Sequence, residues 1–316
     1  MELMDTEVTF PVLINNDDGI RSMQACLDWA ASESGAIRAA LDETGAVLLR
    51  GFPIRTAEDF DALTQVFDYE EFTYGESLSN AVRINLTRRV FTANEAPPDV
   101  EIFLHHEMAQ TPIYPQKIFF CCLSAAEEGG ASPLCRSDLL YAAFKTQYPD
   151  WAALFAEKGL KYSTHMPNED DEQSGQGRSW KSTLSVSGRA EAEARLSELG
   201  YTWQWQDDGS IVTTSPRLPA VRRLEDGSES FFNQVIAAYR GWKRRDGDRL
   251  PVLTFGDGSL IPEDVLEAIV ELAGQFVYAA EWQDGDVALV DNYRVMHGRY
   301  PYSGDRKRQV VVCLAR

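Results

Sequence analysis

Compact apolar runs, set off by Gly, Pro and charged residues, constrain this chain more than any other feature. Lys117-Ile-Phe-Phe-Cys-Cys-Leu123, Asp286-Val-Ala-Leu-Val-Asp291 and Gln309-Val-Val-Val-Cys-Leu314 are of strand length and rich in β-branched or aromatic residues. Ala46-Val-Leu-Leu-Arg-Gly-Phe52 reads as another short buried strand. It follows directly on a helical stretch, Ser22 to Thr44, whose Ile37, Ala40 and Leu41 mark an apolar face. Further helices are expected over Thr56 to Phe67, with Thr56 or Asp59 near the start, and over Arg136 to Tyr148 and Ala190 to Leu199. A last one runs from Pro262 to Gln275, with Pro at its opening. Trp203 to Arg223 alternates in strand fashion. The stretch before Asp99 is polar and irregular, with Pro97-Pro98 in it, and Glu127 to Ser132 is a turn. The last two apolar strands are joined by a Gly-containing loop that carries His297.

Helices at the start and short strands through the rest predict an α+β fold whose β core is a sandwich or a closed double sheet of the jelly-roll kind. The 316 residues are ample for one large domain, and residues 1–316 are read as one. From His165 the chain is polar and Gly/Ser-containing as far as Gly188. Residues 165–181 are expected to form a mobile surface segment.

Charge narrows the function. Thirty Lys+Arg against 49 Asp+Glu give a net charge of −19, which argues against a nucleic-acid or anionic-membrane surface. Neither GxGxxG nor GxxxxGK[ST] follows a strand, so common nucleotide-binding loops have no support. The five cysteines form no CxxC pair and read as reduced, buried thiols. Acidic residues directly after Met1 do not make a secretory leader, and no run approaches the ~20 apolar residues of a membrane span. A cytoplasmic location is expected.

Only four histidines occur: His105, His106, His165 and His297. If His105 and Glu107 lie on a strand, they project to one face and His106 to the other. With one distant histidine they would complete a two-histidine, one-carboxylate facial set for non-haem iron(II), and His297 is the obvious distant partner. For an isolated His-x-Glu, a core histidine beside a solvated carboxylate is the ordinary explanation; the distant His297-Gly-Arg299 and the basic cluster after it shift the balance. The basic run Arg306-Lys-Arg308 leads into the last apolar strand. Its guanidinium groups could fork onto a carboxylate, or could protect a strand edge from aggregation.

Taken together, Gly45-Ala-Val-Leu-Leu-Arg-Gly-Phe52, His105-His-Glu-Met108, Gly129-Gly-Ala-Ser132, Asp291-Asn-Tyr-Arg-Val-Met-His-Gly-Arg299 and Arg306-Lys-Arg308 resemble, in order and spacing, the TauD/TfdA family of Fe(II)/2-oxoglutarate-dependent dioxygenases. The resemblance runs from about residue 35 to the C-terminus. It is strongest to the His-x-Glu branch, which includes clavaminate-synthase-like and syringomycin-biosynthesis hydroxylase types. It implies a distorted double-stranded β-helix with flanking helices. It implies His105, Glu107 and His297 as iron ligands and O2 and 2-oxoglutarate as co-substrates, the keto acid leaving as succinate and CO2.

In the same resemblance Ser132 takes the place of a threonine that contacts 2-oxoglutarate. Arg306 and Arg308, nine and eleven residues after His297, both fit the keto-acid arginine, with Arg306 slightly favoured. Because Glu107 is retained where related halogenases have Ala or Gly, hydroxylation or another oxidation of an unactivated C–H is implied. Asn233, in Ser230-Phe-Phe-Asn-Gln234, and His106, Asn94 and Arg299 are the substrate-contact candidates. The substrate is expected to be a small amino-acid-like metabolite, entering beneath the 165–181 segment. A carrier-tethered aminoacyl group is the variant reading, and Arg217, Arg222, Arg223 and Lys243-Arg-Arg245 are the basic residues that could meet an acidic carrier. A metal-binding sensor and a zinc hydrolase are the competing classes, since zinc accepts the same three ligands.

Overall fold

A computed structural model describes residues 9–79, 81–93, 96–170, 177–242 and 250–316. Two sheets enclose the centre. The larger is six-stranded, in the order Val12–Asn15, Ala46–Arg50, Val287–Asp291, Lys117–Ser124, Gln309–Ala315, Val90–Thr92. Its first pair is parallel and the remaining pairs are antiparallel. The smaller sheet is antiparallel, in the order Val277–Ala280, Ser132–Arg136, Val295–Arg299, Ile102–His105. This is the distorted double-stranded β-helix expected from the sequence.

The apolar runs are continuous because the larger sheet is covered on both faces. Leu48, Ile118, Phe120, Ala288, Val290, Val312 and Leu314 point inward and meet Leu134 and Val295 of the smaller sheet. The alternate residues, Val47, Leu49, Phe119, Cys121, Leu289, Val311 and Cys313, pack outward against Ile37 and Leu41 of helix Met23–Thr44 and Phe60 and Leu63 of helix Ala57–Gln65. A strand buried on both faces has no polar side to show in its sequence.

Both helices start where the sequence allows. Ser22 caps the first through Ala25 N–H, and Thr56 and Asp59 form a reciprocal capping box on the second. The outer face of the smaller sheet is closed by helices Ser137–Gln147, Pro149–Lys158, Val235–Gly241 and Glu263–Ala273, around Phe144, Phe155, Phe231 and Ile269. Burial pushes the thiol of Cys26 up to about 11 and those of Cys122 and Cys135 up to about 12, so these cysteines stay protonated and behave as apolar fillers.

Several local expectations change. His297 lies on strand Val295–Arg299, not in a loop. The irregular stretch before Asp99 contains strand Val90–Thr92, recruited by pairing with Val311–Cys313. Trp203 to Arg223 is broken by the Asp208-Gly209 turn into a hairpin, Thr202–Trp205 and Ile211–Thr214. Glu128–Gly129, expected as turn, pairs with Tyr302–Ser303. Residues 165–181 are not one loose segment. His165 lies within strand Leu160–Met166, and Trp180 opens helix Trp180–Leu184, capped by Ser179. Residues 171–176 lie outside the described residues.

Candidate metal centre

The mouth of the smaller sheet brings His105, Glu107 and His297 together. His105 ends strand Ile102–His105, and His297 is its cross-strand partner. Gly298 makes that pairing possible, because a Cβ there would collide with the Ile102 carbonyl. The two imidazole centroids are 4.4 Å apart, and Phe120 meets the His297 ring edge-on at 5.0 Å.

Glu107 arrives differently from the expectation. The strand stops at His105, and Glu107 sits in the turn that follows, before Met108 with φ of +60°. Strand alternation therefore does not aim this carboxylate. Asn292 aims it: its Oδ1 accepts from Glu107 N–H at 2.7 Å, and its Nδ2 donates to the Glu107 carbonyl at 3.0 Å.

One donor atom from each of the three residues lies within 4.8 Å of the others. Glu107 Oε2 is 3.4 Å from His297 Nε2 and 3.8 Å from His105 Nε2. Metal–nitrogen bonds of about 2.1 Å at right angles would put donors about 3 Å apart, so a small inward movement suffices. The protonation states fit too. His105 Nδ1 donates to the Phe103 carbonyl at 2.8 Å, which leaves Nε2 with its lone pair facing the centre. Burial, reinforced by His297, pushes His105 down to about 4, so it is neutral at pH 7. Burial by itself would raise the Glu107 carboxyl. The Arg83 guanidinium and the two imidazoles override it and hold the group well below the usual carboxylate range. Two imidazoles and one anionic oxygen suit a divalent transition metal.

A cavity opens beside this set, lined by Arg83, Phe120, Ser132, Arg299, Arg308 and Val310 among others. Arg308 is half-buried against Tyr302 and the Gly129-Gly130 turn. Its Nε and Nη2 donate to the Gly130 carbonyl at 3.2 and 3.0 Å, and the guanidinium lies 5.4 Å from the Tyr302 ring centre. Gly130 has φ of +72°, and a Cβ there would press on Arg308 Nε at 2.9 Å. Gly130 thus makes room for this arginine. Ser132 Oγ accepts from Trp282 Nε1 at 3.0 Å, which leaves its own proton to donate.

Arg306 is placed elsewhere. It is half exposed, pairs with Asp284 on the surface and does not line the cavity. Strand Gln309–Ala315 begins after both arginines, so they share no strand face.

The substrate-contact candidates separate as well. Arg299 lines the cavity, but its guanidinium also donates to the carbonyls of Ala96, Pro97 and Val100 and so ties that turn to the site. Asn233 does not face the cavity. Its side chain donates to Ala220 O and accepts from Val235 N–H, and its carbonyl accepts from His106 N–H. His106 is fully buried, with Nδ1 on the Asn292 carbonyl and its ring 4.8 Å from Phe232. Both support the turn that carries Glu107 and neither lines the cavity. Asn94 lies outside the described residues. Sequence reading missed Arg83, which lies in the irregular stretch without a motif of its own. It also gave no role to Asn292, although that residue stands inside a quoted motif.

A jelly-roll whose paired strands and the turn after them bring a His/Glu/His set beside an arginine-lined cavity has the arrangement of mononuclear non-haem metal oxygenases. Residues 22–314 match the family described as "Taurine catabolism dioxygenase TauD, TfdA family". The chain is 37% identical over 274 residues to a clavaminate synthase-like protein of Arabidopsis thaliana, covering 86% of this chain and 82% of the other. It is 28% identical over 283 residues to the dapdiamide synthesis protein DdaC of Enterobacter agglomerans, covering 86% and 83%. A taurine dioxygenase structure from Burkholderia xenovorans shares the fold, with a TM-score of 0.52 at 18% identity over 90% of this chain and 81% of that one. The chain belongs to the TauD/TfdA family and is an Fe(II)/2-oxoglutarate-dependent dioxygenase. Enzymes of this family use Fe(II), 2-oxoglutarate and O2. Among the described residues no helix is long and apolar enough to cross a membrane.

Proposed function

We propose that this enzyme oxidises an unactivated C–H of a small amino-acid-like metabolite in a biosynthetic pathway, with His105, Glu107 and His297 as the iron ligands. The observation that carries the site assignment is the convergence of these three side chains within 4.8 Å, two imidazoles facing one carboxylate oxygen. The substrate class is supported by the likeness to a dapdiamide synthesis protein and a clavaminate synthase-like protein.

When bound, iron with its keto acid supplies the oxidising power and releases succinate and CO2. The chain's own residues bind and orient. Arg308 receives the distal carboxylate of 2-oxoglutarate through charge-assisted hydrogen bonds from its guanidinium fork. Ser132, already accepting from Trp282, donates its proton to the same ligand. Phe120, Val310 and Val312 keep the cavity dry on the larger-sheet side. Arg299 lines the cavity and ties residues 96–100 to its wall, so it helps fix the space in which a substrate would be held.

Anaerobic titration of metal-free protein with Fe(II) and 2-oxoglutarate tests the assignment through the weak visible charge-transfer band of the chelate. Wild type should give the band, and His105→Ala and His297→Ala should both lose it. Folded protein that binds iron yet gives no band would sink the site assignment. With the band in hand, amino-acid-like compounds can be ranked by substrate-dependent succinate release.

A further inference from the structure

Glu107 presents its two oxygens to different partners. Oε2 faces the two imidazoles, whereas Oε1 accepts from Arg83 Nη2 at 2.9 Å. The ion pair is buried on both sides, with side-chain exposures of 7% and 5%. Arg83 cannot easily swing away. Its guanidinium carbon lies 5.2 Å from the Tyr74 ring centre and 5.4 Å from that of Phe91, and Tyr74 is itself fixed by donating to the Ala81 carbonyl. The backbone of Glu107 is held separately by Asn292, so the arginine governs only the carboxylate.

From this division of the carboxylate we infer that Arg83 is a positioning residue that keeps Glu107 a one-oxygen ligand. The inference rests on the His105/Glu107/His297 reading above. A carboxylate can bind a metal through one oxygen or both. Three single donors leave three positions on a six-coordinate ion, two for the keto acid and one for O2. A Glu107 that turned both oxygens inward would fill a fourth position and compete with the co-substrate. Arg83 prevents this by committing Oε1 to a bond with a geometry the guanidinium fixes. A partner of this kind is worth roughly 10–100-fold in metal affinity or activity.

Arg83→Met tests it, since Met keeps the apolar stem between Tyr74 and Phe91 and removes the donors. Arg83→Lys is the companion variant, because it retains the charge needed beside buried Glu107 if Met proves unstable. The probes are Fe(II) and 2-oxoglutarate without substrate, read by the chelate band, and Co(II), read by its ligand-field absorption. In Arg83→Met the expected result is 2-oxoglutarate affinity lowered roughly 10–100-fold, with Co(II) bands displaced before any co-substrate is added. Arg83→Lys should fall between that variant and wild type. If folded variants keep wild-type Fe(II), Co(II) and 2-oxoglutarate behaviour and only the KM for the substrate rises, Arg83 is a substrate contact and the inference is overturned. Wild type without a band overturns the metal-site reading itself, and this inference with it.

Discussion

Asn292 grips both main-chain groups of Glu107, accepting its N–H at 2.7 Å and donating to its carbonyl at 3.0 Å across 185 positions of sequence. The same amide donates to the Pro115 carbonyl at 2.8 Å, and the Asn292 carbonyl accepts from His106 Nδ1. One fully buried side chain thus fixes the turn that turns Glu107 toward the two histidines.

Asn292→Ala should therefore damage both stability and metal binding. It leaves buried main-chain groups of Glu107 and Pro115 without partners, at about 1–3 kcal/mol each before relaxation. A loss of about 2–3 kcal/mol in urea melts is expected, together with weaker Fe(II) retention at temperatures where the variant is folded. Wild-type Fe(II) affinity in folded Asn292→Ala would show that the turn holds Glu107 without it.

Arg308→Ala and Arg306→Ala should part company. Losing a charge-assisted bond to the keto acid costs about 1.5–3 kcal/mol, roughly 10–150-fold in affinity. That loss belongs to Arg308, which lines the cavity, and not to Arg306, whose surface pair with Asp284 is worth about 0–1 kcal/mol. Titration of the chelate band with 2-oxoglutarate measures both. Equal affinities in the two variants would contradict the assignment.

The metal-free protein should lose stability on mild acidification. Burial pushes His105 down to about 4 and His106 to about 3, against about 6.5 in the unfolded chain. Between these values the unfolded chain binds more protons than the folded one. The stability is therefore fully present above pH ~6.5 and declines as pH falls toward the folded values. The Tm of metal-free protein should be lower at pH 5 than at pH 7, and His106→Asn, which removes one titrating group, should flatten the dependence. A Tm in wild type that does not change over this range would refute it.

Much was legible from local sequence because the governing interactions are local. Ser22 and the Thr56/Asp59 box mark helix starts within one turn of themselves. The apolar runs announce strands because each buried residue carries its own burial signal. The candidate metal set was legible because histidine is rare here and because a coordination sphere demands particular side chains whatever holds them. Arg83 carried no such signal: an arginine in a polar stretch looks like any solvated cation until Tyr74, Phe91 and Glu107 close around it.

Residue types and their spacing by themselves determined the strand content, the class of fold and the chemistry of the candidate metal site. Direction was decided only by tertiary structure. Glu107 reaches the site by a turn clamped from Asn292, not by strand alternation. Arg308 enters the cavity past Gly130 while Arg306, two residues earlier, turns out to Asp284. The physical reason is the same in both cases. A loop's backbone course depends on hydrogen bonds and close approaches to segments far away in sequence, and no local period encodes where those segments will lie.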